Sequence, residues 1–260
     1  MKRQPKVANF VAQRLMQEIA EQGLVVGDHL GAEHEIIERL GVARASVREG
    51  LRLLESFGVV ELRRGAGGGV TISRPDPAAL VTPLALMLQF EGGSLGDVIE
   101  AFTAIEPTVA ALAAQRRSDQ QLERLSVCVD TLRASIDDDL AFRRANHAFH
   151  NVMSEASGNA LLGILMPSLS WMSTAIGWEI PASRRRRVAV EKASILEAIQ
   201  RRDSLAASDR TRAMLITASG LRQANPRAFD APIVWTHLND LLSLDADQLG
   251  QAVSIGRNQS

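Results

Sequence analysis

Arg44, Ser46 and Arg48 crowd the first turn of one segment, ARASVREGLRLLESFGVV at positions 43–60, and Arg52 follows four residues later. Guanidinium groups clustered at the start of a helix can pair with phosphates and read base edges in a major groove. A second basic element comes soon after: RGAGGG at positions 64–69 places Arg64 beside four glycines. Such a tip admits positive φ and leaves no side chain in the way of a phosphate backbone. The other candidate chemistry is thinner. His147 and His150, three residues apart, are the only clustered imidazoles outside the first 74 residues, and by themselves they make a weak metal half-site. Asp137, Asp138 and Asp139 read as a loop and helix cap rather than a catalytic carboxylate set. Arg184, Arg185, Arg186 and Arg187 read as a solvated helix start, or else as a site for a phosphate-bearing ligand or an acidic partner. With no glycine-rich phosphate loop, serine nucleophile elbow or metal-hydrolase motif present, the sequence does not describe an enzyme.

The elements that carry the first constellation can be read directly. AEHEIIERL (32–40), the turn Gly41-Val42 and the segment from Ala43 onward form a helix-turn-helix. Val47, Leu51, Leu54 and Phe57 recur at three- and four-residue steps, which predicts one buried stripe with the charge on the opposite face. A strand-like run at 59–63, the glycine tip and Val70-Thr71-Ile72 then make a hairpin. Net charge is only −1, but its distribution matters more: residues 1–74 carry 11 Lys/Arg against 9 Asp/Glu, and the remainder 18 against 21. The basic excess falls on the two elements expected to face DNA.

After residues 75–77, where Pro75 and Pro77 interrupt any continuous helix, the chain reads as helix to about position 223. Expected breaks fall at 91–93, 117–119, 137–139, 157–159, Pro167, 181–183 and 202–204. Seven or so helices follow, an antiparallel bundle. An apolar fraction of 46% with only 4% aromatics and no tyrosine suits closely packed Ala/Leu-rich helices. A single cysteine, Cys128, excludes a disulfide framework and a cysteine zinc cluster. The sequence shows neither an apolar leader nor a run of eighteen apolar residues, so a cytoplasmic protein without membrane association is expected. The expected organisation is a winged helix-turn-helix DNA-binding domain at 1–74, a linker at 75–77, an all-α effector-binding and dimerisation domain at 78–224, and a tail at 225–260. Leu238, Leu241, Leu242 and Leu244 suggest one further helix in that tail.

The stretch GVARASVREGLRLLESFGVVELRRGAGGGVTI resembles the N-terminal winged helix of GntR-family transcriptional regulators over residues 7–73. It departs from the usual Leu-Pro-Ser-Glu before the motif, having Leu30-Gly31-Ala32-Glu33, which loosens the start of that helix. The resemblance implies that Arg44 and Arg48 meet bases and phosphates and that Arg52 belongs to the same reading helix. It also puts Ser46 on a phosphate, His34 on the neighbouring backbone, and Arg64 and Gly65 in the minor groove.

The segments IEPTVAALAAQRRS (105–118), FRRANHAFHNVMSEASGN (142–159) and ILEAIQRRDSLAA (195–207) resemble the signature segments of the FCD effector domain of the FadR-type subfamily. Together the two resemblances imply a homodimeric one-component regulator, a repressor, that binds a double-stranded operator and answers to a small molecule held in the bundle. Many such domains grip a carboxylate effector through a divalent metal. The ligand positions fall here on Asn146, His150, Lys192 and Met214, and an arginine often found four before the glutamate of the first segment falls on Phe102. An amide, an ammonium and a thioether are poor ligands for a hard divalent ion, so the resemblance implies no metal and no other cofactor. Three readings of the bundle stay open at this level. In one, Lys192 pairs with an anionic effector; in another, Phe102 and Met214, with Trp171 and Trp178, shape an apolar cavity. In the third, His150 and His147 make a metal-dependent carboxylate sensor. An all-α metalloenzyme and an architectural DNA binder are the rival classes.

Overall fold

The computed structural model describes residues 7–63, 69–174, 180–224 and 229–233. The chain divides into two compact units, Met1–Ala79 and Leu80–Ser260.

In the first unit, helices α1 (Val7–Glu21), α2 (Glu33–Leu40) and α3 (Arg44–Ser56) accompany a three-stranded antiparallel sheet. Its strands are β1 (His29–Gly31), β2 (Val60–Leu62) and β3 (Val70–Ile72), in the order β1-β3-β2. The hairpin register pairs Val60 with Ile72, Glu61 with Thr71 and Leu62 with Val70. The short β1 was not anticipated, because three residues are too few to show a period. Between α2 and α3 the chain turns at Gly41, whose φ of 63° is the left-handed conformation that ends a helix at low cost in glycine.

Val47, Leu51 and Leu54 are buried on α3 as expected, but Phe57 is 59% exposed. The helix ends at Ser56, with Phe57 as its C-cap, so the three-residue step no longer carries that ring onto the stripe. Gly50 takes a place on the buried face instead. A Cβ built there would stand 2.6 Å from Val11 Cγ1 and 3.0 Å from the Ala8 carbonyl oxygen, so α1 packs directly on the α3 backbone. Gly50→Val should therefore destabilise the head by about 1–3 kcal/mol through overpacking. An unchanged thermal midpoint for the head would show that α1 can yield.

The missing proline before α2 is compensated locally. Glu35 accepts the Ala32 backbone N–H at 2.7 Å, and Arg39 donates to the Leu30 carbonyl at 2.8 Å while pairing with Glu18 at 2.9 Å.

The second unit contains α4 (Val81–Phe90), α5 (Leu95–Arg116), α6 (Asp119–Ala134), α7 (Asp139–Ala156), α8 (Ala160–Thr174), α9 (Ala182–Gln200) and α10 (Ser204–Ala224). Side chains mark several starts. Ser94 and Ser118 accept from Asp97 N and Gln121 N, and Asp138 accepts from Ala141 N, which places the 137–139 acidic run in a cap. Pro167 does not break the chain as expected but sits inside α8. It removes one backbone donor, and the residue four before it, whose carbonyl the ring crowds, is the small Gly163.

One core cluster draws on α4 to α10, including Phe102, Phe149, Met153, Met166, Ile195 and Met214. Part of the tail joins it. Ile233 is buried in that cluster, its N–H donates to the Gly93 carbonyl at 3.1 Å, and Pro232 bridges to Ser94. The helix expected around Leu238–Leu244 lies outside the described residues. Among the described residues no helix is long and apolar enough to cross a membrane.

Candidate functional site

On α3, Arg44, Arg48 and Arg52 are exposed and spaced four residues apart, so they line one face over successive turns. Ser46 is half-buried, and His34 on α2 is exposed. Arg48 Nε lies 2.8 Å from Glu33 Oε1, and Arg44 Nε lies 3.7 Å from the same oxygen. Glu33 thus holds both guanidinium groups over the start of α3. Surface pairs of this kind contribute about 0–1 kcal/mol, so a phosphate or base can take the arginines over at little expense. Glu33 was visible in sequence only as part of the segment before the helix; no periodicity singles it out. Arg64 and Gly65 lie outside the described residues.

The bundle brings a different group together. His150 on α7, Lys192 on α9 and Phe102 on α5 converge with Glu106, one turn beyond Phe102. Glu106 is 0% exposed, Lys192 1% and His150 5%. His150 Nδ1 lies against Glu106 Oε1. Lys192 Nζ lies 2.9 Å from His150 Nε2 and 3.3 Å from Nδ1, and it stands 4.0 Å from Glu106 Oε1. The ammonium also lies 4.5 Å from the centre of the Phe149 ring, and Phe102 meets the His150 ring edge-on at 5.1 Å. Both carboxylate oxygens of Glu106 are buried, and neither makes a hydrogen bond of good geometry among the described residues. Met214 is buried in the same core cluster as Phe102 and Phe149. The amide oxygen of Asn146 is buried without a hydrogen-bond partner among the described residues.

These surroundings shift each group. Burial pushes the Glu106 carboxyl up, but the charges of His150 and Lys192 outweigh it and hold the group below the ordinary carboxylate range. Burial lowers Lys192, opposed by Glu106 and Glu191, to about 8. Burial likewise keeps His150 below the usual imidazole value, against the pull of Glu106. The result is a carboxylate, an imidazole and an ammonium in contact, in an apolar interior that makes the charge of each depend on the others. Sequence reading used Glu106 only as a landmark. The signal for more was a carboxylate inside the apolar run at 105–114.

Residues 7–70 match the model of bacterial regulatory proteins of the gntR family, and residues 97–217 match that of the FCD domain. An uncharacterised HTH-type transcriptional regulator of Mycobacterium tuberculosis is 30% identical over 175 residues, which cover 66% of this chain and 69% of that protein. The chain belongs to the GntR family. This GntR-family chain is also 30% identical to the HTH-type transcriptional repressor NanR of Cronobacter sakazakii over 174 residues. That match covers 65% of this chain and 66% of NanR, just under two thirds of the repressor's length. The solved structure of a Streptococcus agalactiae GntR protein superposes with a TM-score of 0.64 at 25% identity, covering 81% of this chain and 98% of that one. The chain therefore joins a GntR-type head to an FCD domain, and its family is one of transcriptional regulators rather than enzymes.

The metal ligands that the FCD resemblance implies do not fit a metal in this regulator. Among the described residues no group of three His, Cys, Asp or Glu side chains is placed to hold an ion. Lys192 Nζ lies 2.9 Å from His150 Nε2, so an ammonium stands beside the one imidazole among the four positions, and His150 Nδ1 faces Glu106 Oε1. His147, the other imidazole considered, turns elsewhere: its Nδ1 is 2.9 Å from Ser170 Oγ, and its ring stacks on Trp171 at 4.4 Å. Trp178 lies outside the described residues. The arginine run is not uniformly solvated either. Arg185 is buried, donating to the Ile136 and Ile180 carbonyls at 2.5 Å and to Asp139 at 3.1 Å, whereas Arg186 and Arg187 are exposed.

Burial, reinforced by the nearby charges of His150, Arg143 and Lys192, lowers the His147 pKa to about 3. Below its ordinary value the unfolded chain takes up a proton that the folded bundle refuses, so stability falls as pH drops from about 6.5 toward 3. One proton corresponds to about 1.4 kcal/mol per pH unit. His147→Asn, which retains a hydrogen-bonding group for Ser170, should flatten the acid limb of the stability curve by about one proton. Parallel limbs for the two proteins would contradict a neutral, buried His147.

Proposed function

We propose that the protein is a ligand-responsive one-component repressor that binds a pseudo-palindromic duplex operator as a homodimer in the cytoplasm. In this reading residues 1–74 bind DNA and residues 78–224 dimerise and hold a small organic effector beside Glu106, His150 and Lys192. One observation carries the DNA half: Arg44, Arg48 and Arg52 stand exposed on successive turns of the helix that follows the Gly41 turn in a GntR-type head. A helix with this charge fits a major groove, and a two-fold dimer calls for a two-fold site. Repression follows the similarity to the NanR repressors.

A buried carboxylate, imidazole and ammonium in an otherwise apolar core support the effector half, because such a cluster contributes little net stability and is an expensive way to fill a core. Since Glu106 already balances Lys192, a second carboxylate would bring two anions against one buried cation. This favours an effector with a polar but uncharged head and a body that packs against Phe102, Phe149 and Met214.

Band-shift titration with duplex from the chain's own upstream region, with light scattering of the free protein and the complex, tests this. The expected result is a dimer on a symmetric site, released by a small molecule that also raises the thermal midpoint. A monomer on DNA, or binding indifferent to every ligand that stabilises the bundle, would contradict it.

A further inference from the structure

Glu33 is the first residue of α2, and its carboxylate stands between two of the arginines that face outward from α3. Its Oε1 accepts from Arg48 Nε at 2.8 Å and lies 3.7 Å from Arg44 Nε. Among the described residues neither arginine makes another hydrogen bond or ion pair. The start of α2 has a separate fastening in Glu35, which accepts the Ala32 N–H at 2.7 Å. Glu33 is therefore turned to the arginines rather than to its own helix.

Which nitrogen is engaged decides what remains. A guanidinium has an inner edge, Nε–H with one terminal N–H, and an outer edge made by its two terminal nitrogens. Arg48 gives Nε to Glu33, so its outer edge stays available, and that end-on pair of donors suits the O6 and N7 acceptors of a guanine. A base edge is neutral and can be read while Glu33 keeps its hold. A phosphate is different, because its oxygens carry the same sign of charge as Glu33 and seek the same guanidinium. On DNA without the right bases, phosphate contacts to Arg44 and Arg48 compete with Glu33, whereas on the right site the base contacts add to it. At 35% exposure the Glu33 side chain is open to an approaching phosphate.

We infer that Glu33 is a specificity-determining positioning residue of the DNA-reading face. It fixes Arg48 with the outer edge forward and screens both arginines from phosphates, so it lowers affinity for non-specific duplex more than for the specific site. This rests on α3 being the reading helix, as proposed above.

The test is fluorescence anisotropy of the full-length protein with a duplex from the chain's own upstream region and a scrambled duplex of equal length, over a range of potassium chloride concentrations. Glu33→Gln removes the charge at nearly constant shape. Its affinity for the scrambled duplex should rise by up to about fivefold for each bound head. The slope of log K against log salt should steepen by about 1 per head, and the ratio of specific to scrambled binding should fall. Glu33→Asp, which keeps the charge, should keep the wild-type slope. The thermal midpoint of Glu33→Gln should move by less than about 2 °C, since one exposed carboxylate in a first turn adds little to helix stability. In an Arg44→Ala/Arg48→Ala background the glutamine should no longer change the ratio, because Glu33 acts through those side chains. An unaltered ratio and slope in Glu33→Gln, with a wild type that still prefers its own duplex, would overturn the inference and leave α3 as the reading helix. A ratio lowered equally in the double-arginine background would also overturn it, by showing that Glu33 touches the bases itself. A wild type that binds both duplexes alike would remove the reading helix and this inference together.

Discussion

Lys192→Met should lower the stability of the helical bundle by about 3–5 kcal/mol at pH 7, the largest single loss expected in the molecule. Methionine fits the space of the lysine stem, so the loss is not one of volume. It arises because Glu106, 0% exposed, keeps a carboxylate whose compensating ammonium has gone. Two further measurements separate this cause from simple packing damage. The deficit should shrink as pH falls, since Glu106 without Lys192 can take up a proton and become neutral. Pairing Lys192→Met with Glu106→Gln should recover most of the loss, because removing both charges of a buried pair is often neutral or stabilising. Urea unfolding followed by tryptophan fluorescence reports the right unit, as Trp171, Trp178 and Trp235 all lie beyond residue 80. A double variant as unstable as the single one would show that Lys192 acts through its stem rather than its charge.

The second large effect concerns DNA. Replacing Arg44 and Arg48 together by alanine should cost about 1–3 kcal/mol for each base edge that then goes unread, which amounts to a fall of two or more orders of magnitude in affinity for the specific site if both arginines read bases. Non-specific affinity should fall far less, so the ratio between the two is the quantity to measure. The fold of the head should not change. Both side chains are more than half exposed, and their partner Glu33 gives up only surface pairs. Arg52→Ala on the same face should act in the same direction with a smaller effect. A double variant that keeps full discrimination between specific and scrambled duplex would move the reading surface away from α3.

Much of this was legible in the residues because it is written in local periods. Apolar residues at helical spacing, the Gly41 turn and the hydroxyl and carboxylate caps at Ser94, Ser118 and Asp138 specify their elements within a few positions. Misreadings occurred where a local rule met a boundary or a neighbour. Phe57 follows the stripe's spacing but stands past the end of its helix. Pro167 has the chemistry of a break, yet it is accommodated in α8 with Gly163 four residues before it. The arginine run looked solvated, and only the approach of Ile136, Asp139 and Ile180 shows why Arg185 is buried. The bundle site illustrates the same limit. Spacing brought out His150 and Lys192 one at a time, through a resemblance, whereas their contact with Glu106 joins helices α5, α7 and α9 and has no signature within any one segment.

The central claim is that this GntR-family chain reads DNA through α3 and that a ligand in its bundle governs that reading. The most direct measurement is fluorescence anisotropy with a duplex from the chain's own upstream region and a scrambled duplex of equal length, titrated with wild-type protein and with the Arg44→Ala/Arg48→Ala variant, with and without a bundle-stabilising ligand. The account predicts a specificity ratio of about 10³ or more for the wild type, collapsed in the variant and lowered by the ligand. Equal affinity of the wild type for both duplexes, or a ratio untouched by the two arginine replacements and by the ligand, would contradict it.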